Sequence, residues 1–107
     1  MIITIGGYQF DGPVKLNDWN PPCRAGVYAI LRYDITASNY PVVYVGESSN
    51  MSERGFTTHH ALPCWLGQVS SINDLYIATY LMPDSTADER RVVETALMNL
   101  YHPICNG

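Results

Sequence analysis

Glu94 falls within residues 85–101, where Val92, Val93, Ala96, Leu97 and Leu100 recur at about 100° per residue. On that wheel the apolar centre lies near Ala96 and Leu100, with Glu94 to one side, so its carboxylate straddles core and solvent. Metal ligation is the chemistry open to such a group, and a solvated surface acid is its plainer role, since acids are seldom buried unless paired or metal-bound. Glu89 lies nearer the face centre but in the first turn, where an acid simply complements the helix dipole. Among eight tyrosines, Tyr28 and Tyr44 each sit centrally in a strand-like run with a glycine close by, Gly26 and Gly46. The plain role for such tyrosines is half-buried packing with a wet hydroxyl. His60-x3-Cys64 and His102-x2-Cys105 have the residue types of a tetrahedral zinc site, although Cys64 and Cys105 read equally as buried thiols.

These residues need elements to carry them. Residues 26–33 and 41–45 are β-branched and aromatic runs closed by Asp34 and Gly46, and residues 74–82 alternate apolar residues with Tyr and Thr before Pro83. Three paired strands are expected. Asn50 with Glu53 resembles a capping box opening a short helix through about His59, which Pro63 keeps from continuing. Ser85 with Asp88 suggests the start of the longer helix, which ends before Pro103. Residues 1–22 read as an extension: a weak strand over 1–5, turns at Gly6-Gly7 and Asp11-Gly12-Pro13, and a separating Asn20-Pro21-Pro22.

Taken jointly, Gly26-Val27-Tyr28 in one strand, Tyr44-Val45-Gly46 in the next, Arg54 ten residues after Tyr44, Glu94 on a later helix and Asn106 twelve residues beyond it resemble the GIY-YIG nuclease superfamily. The resemblance spans residues 25–106 in the family's order and spacing. The segment from Glu94 to Asn106 is especially similar to the corresponding part of the nuclease domain of bacterial excision repair. It implies a single α/β (α+β) domain over residues 1–107, a small three-stranded antiparallel sheet flanked by helices, with an N-terminal hairpin-like extension over 1–22 and a nuclease-like core over 25–106.

The activity it implies is metal-dependent endonucleolytic hydrolysis of phosphodiester bonds in nucleic acid, DNA ahead of RNA, with Mg²⁺ or Mn²⁺ as cofactor. By the same resemblance Glu94 is the lone carboxylate metal ligand, with water filling most of the shell. Tyr28 accepts or orients the proton of the attacking water, Tyr44 hydrogen-bonds near the scissile phosphate, and Arg54 stabilises charge in the transition state. Gly46 and Asn106 complete the substrate site. Many family members carry a histidine one turn past the arginine; that slot is Thr58 here, and His59, five residues on, takes the role if Gly55 loosens the helix, with His60 facing solvent.

Two features depart from the family pattern. Glu47 follows Gly46 where the excision-repair nucleases have lysine, so Glu47 is either an extra metal ligand or a partner for Arg54. Six Lys and Arg against ten Asp and Glu give a net charge of −4, which excludes a broad basic surface for duplex phosphates and points to a separate recruiting protein. The alternative function is a catalytically weak or inactive GIY-YIG-like module that binds a protein. Three cysteines, no basic leader and no apolar run of roughly 18 residues place the chain away from membranes, in a reducing, cytoplasmic setting.

Overall fold

A computed structural model describes residues 1–53 and 56–106, the Thr57 side chain excepted. Residues that suit a pleated, buried surface form its centre: β3 (Gly26–Arg32) is buried along its whole length except at Arg32. It pairs antiparallel with β4 (Val42–Ser48) on one side and β5 (Leu75–Leu81) on the other. These are the three expected strands.

The sheet nevertheless has five. β1 (Ile2–Ile5) and β2 (Tyr8–Lys15) form a hairpin turned at Gly6 and Gly7, whose φ values of +58° and +86° suit glycine. β2 then pairs antiparallel with β5, giving the order β1-β2-β5-β3-β4. The physical reason is edge satisfaction: β5 beside β3 leaves one row of N–H and C=O groups unpaired, and β2 supplies their partners. Ile5 and Phe10, 2% and 0% exposed, make the hairpin part of the core.

Alternation along β3 divides that core between the two faces of the sheet. Val27, Ala29 and Leu31 join Val45, Ala78, Val93 and Leu97 on one face, under α2 (Ala87–Tyr101). Tyr28 and Ile30 join Val43, Phe56, Trp65, Leu75 and Ile77 on the other, under α1 (Leu62–Leu66). The β3–β4 register shifts between Ile30, opposite Tyr44, and Leu31, opposite Val42. This bulge at Val43 places Val43 and Tyr44 against the same cluster.

Of the segment expected as a helix over 50–59, the described residues include two 3₁₀ turns, Met51–Glu53 and Phe56–Thr58, and α1 follows, where Pro63 sits in the first turn. Proline is tolerated there because the first N–H groups of a helix have no internal acceptor. α2 starts one residue later than expected. The Thr86 hydroxyl accepts the Glu89 N–H at 3.2 Å, and the Glu89 carboxylate accepts the Thr86 N–H at 2.8 Å, so the box is Thr86/Glu89 rather than Ser85/Asp88.

The inward face of α2 also differs from the apolar count. Arg90, Val93 and Leu97 are buried, whereas Val92 and Leu100 are 68% and 61% exposed. Arg90 is the reason: its charge is paired, so it can occupy a buried position that a count of apolar residues assigns to solvent. Among the described residues no helix is long and apolar enough to cross a membrane.

Candidate active site

Tyr28 projects from the centre of β3 with its side chain 1% exposed, and its ring passes beneath Gly46, its partner across the β3–β4 ladder. A Cβ at position 46 would collide with the Tyr28 hydroxyl and ring carbons, so the glycine is what lets the phenol reach the outer strand. Tyr44, two residues before Gly46 on the same face, places its ring 6.2 Å from that of Tyr28.

His59 completes this cluster. Its Nε2 lies 3.1 Å from the Tyr28 hydroxyl, and its ring lies 5.2 Å from Tyr44 and 4.7 Å from Trp65. The Ala61 N–H donates to Nδ1 at 3.0 Å, so Nδ1 carries no proton. A neutral ring then holds its proton on Nε2, and that N–H donates to the Tyr28 oxygen. His59 is buried while Thr58 is exposed, because the chain here turns as 3₁₀ rather than α-helix and the five-residue spacing points inward. His60 is exposed and stacks on His59 at 4.5 Å.

Glu94 rides half-buried on α2, across the sheet from the tyrosines. One turn before it, the Arg90 guanidinium donates to Glu47 of β4 at 2.8 Å and to the Ser85 carbonyl at 2.6 Å. α2 therefore lies along the outer strand β4, on the face of the sheet opposite the tyrosines. Glu47 is thus a partner of Arg90, which is buried and needs a carboxylate. Arg54 and Gly55 lie outside the described residues.

Asn106 sits in a terminal 3₁₀ turn, Ile104–Asn106, and addresses backbone. Its Oδ1 accepts the Val45 N–H and its Nδ2 donates to the Val45 carbonyl, both at 2.8 Å. This clasp fixes β4 between Tyr44 and Gly46. Behind it, Cys105 is disulfide-bonded to Cys64 of α1, with Cα atoms 5.8 Å apart. The expectation of free thiols, and with it a zinc site built from Cys64 and Cys105, is overturned, because each sulfur is bonded to the other. Cys23 is exposed and free. Among the described residues no three His, Cys, Asp or Glu side chains converge as a metal-holding group.

The structure thus brings together Tyr28, Tyr44, Gly46 and His59, with Asn106 behind the strand and Glu94 on the adjoining helix. Sequence reading missed Trp65, the Arg90–Glu47 pair and the disulfide. A signal existed only for Arg90, a cation four residues before Glu94 on the same helical face. No family model, curated protein or solved structure matches the chain.

Proposed function

We propose that the chain is a metal-dependent endonuclease of the GIY-YIG kind, hydrolysing phosphodiester bonds in DNA. The observation that carries this reading is the Tyr28 hydroxyl, set under the bare backbone of Gly46, hydrogen-bonded to a neutral His59 and flanked by Tyr44. Hydrolysis needs an atom that takes the proton of the attacking water, and the Tyr28 oxygen, acting as phenolate and ending as phenol, is that atom. The Nε2–H of His59 favours negative charge on it, since a hydrogen bond donated to the charged form stabilises that form. Tyr44 orients the phosphate, and Arg54 binds a non-bridging oxygen with its guanidinium fork.

The half-buried Glu94 fits Mg²⁺ or Mn²⁺, which favour oxygen donors and accept a single carboxylate with a mostly aqueous shell. When bound, the cation polarises the phosphate and acidifies its water. Asn106 serves the site by holding β4 in place.

The test is a cleavage assay in Mg²⁺ and Mn²⁺ over DNA and RNA in single-stranded, duplex and branched forms, beside Glu94→Ala. Wild type should cut DNA, and Glu94→Ala should lose cutting and metal dependence with an unchanged thermal melt. Failure of wild type to cut any form sinks the proposal. The second reading, a silent protein-binding module, draws on the commitment of Arg32, Arg90 and Arg91 to Asp34, Glu47 and Asp88. That pairing leaves little cationic surface for phosphates.

A further inference from the structure

Phe56 closes the Tyr28–His59 cluster on one side, with its ring edge-on to Tyr28 at 5.0 Å. Phe56 also lines a cavity of about 230 Å³ together with Trp19, Leu62, Ile72 and Asn17. Trp19 is half-buried and stands at 87° to Phe56, 4.8 Å away. Two ring contacts therefore lead from the cavity to the phenol of Tyr28. Asn17 donates through Nδ2 to Asn73 Oδ1 at 3.1 Å, which fixes its carboxamide, and an amide oxygen is an acceptor.

The described lining of the cavity carries no charged side chain, and its sequence neighbours Lys15, Asp18 and Asp74 are mixed in sign. Such a site suits a flat, neutral, polar-edged ring rather than a phosphate. The charge pattern favours the same occupant. With a net charge of −4 and three of the five described basic residues, Arg32, Arg90 and Arg91, ion-paired, phosphate contacts contribute little, so affinity has to come from base faces, which stack on aromatic rings whatever the sequence.

We infer that this cavity receives an unpaired nucleobase of the substrate, stacked on Trp19 with its polar edge toward Asn17. The inference rests on the nuclease reading and narrows it. The preferred substrate carries a single-stranded or flipped-out nucleotide near the scissile phosphate, rather than uninterrupted duplex.

Two measurements test this. In Ca²⁺ in place of Mg²⁺, a fluorescent single-stranded oligonucleotide and its blunt duplex are titrated with wild type, Trp19→Ala and Trp19→Phe. Wild type should prefer the single strand. Trp19→Ala should weaken single-strand binding roughly 5- to 100-fold with little change on duplex, and Trp19→Phe should keep most of the affinity. Separately, adenosine monophosphate is titrated into wild type while the Trp19 indole N–H is followed by NMR, a readout that needs neither variant nor catalysis. A saturable shift at Trp19 supports the site, and no shift at millimolar nucleotide overturns it. If wild type cuts DNA while Trp19→Ala binds single strand as wild type does, the nucleobase site falls and the nuclease stands. If the nucleotide binds at Trp19 and no nucleic acid is cut, the nuclease falls and the site stands.

Discussion

His59 shows how much a single proton position decides. Because the Ala61 N–H occupies Nδ1, the imidazole cannot take a proton from Tyr28 through Nε2 while Nε2 is itself the donor. In the proposed reaction His59 is therefore a positioning residue for the phenol, and this separates it from a general base. His59→Gln, whose side-chain amide can still donate toward the Tyr28 oxygen, should keep much of the cleavage rate. His59→Ala should lose about 10-fold in kcat, the weight of one hydrogen bond to the phenol, with KM little changed. Equal loss in both variants would show that the imidazole acts as a base. The histidine was visible in the sequence, but its direction was not: an α-helical count favours Thr58, and only the 3₁₀ turn over Phe56–Thr58 sends His59 inward.

At the scale of elements, β3, β4, β5 and α2 were legible because each carries a strong local pattern, a buried apolar run or a 3.6-residue period. The N-terminal hairpin was legible as an extension, but its two strands were not legible as part of the sheet. Their place beside β5 is a long-range choice made by unpaired backbone groups, and no local composition records it. The inward face of α2 was misread for a related reason: burial of Arg90 depends on Glu47, 43 residues away. The start of α2 offers a direct measurement. Thr86→Ala removes one half of the capping box and should cost about 1 kcal/mol, or roughly 4–6 °C in Tm. Glu89, the other half, is held below the ordinary glutamate range, first by the Thr86 backbone N–H and then by its hydroxyl. A depressed folded value means that its contribution is present above the unfolded pKa and is lost as pH falls through the folded one. Stability should decline across that acid window in wild type, and Glu89→Gln should remove this component of the decline; an unchanged slope would show that Glu89 adds nothing.

For the whole molecule, the Cys64–Cys105 bond joins positions 41 residues apart, linking the helix under Trp65 to the turn that carries Asn106. Three cysteines in 107 residues gave no reason to pair these two, since proximity arises only once α2 has carried the chain back across the sheet. Closing a loop of that length limits the unfolded chain by about 4 kcal/mol. Reduction, or the double variant Cys64→Ser/Cys105→Ser, should therefore lower Tm by roughly 16–24 °C, and mass spectrometry of the oxidised protein should count one free thiol, Cys23. Three free thiols in air-oxidised protein would overturn the bond.

The Asn106 clasp has a consequence at the scale of many molecules. β4 is the last strand of the sheet, and an outer strand with open backbone groups invites a strand from another copy to add on. At Val45 both groups are already taken by one carboxamide. A side chain thus occupies, at the middle of that edge, the two backbone groups an incoming strand would need, which is one way an outer strand is blunted.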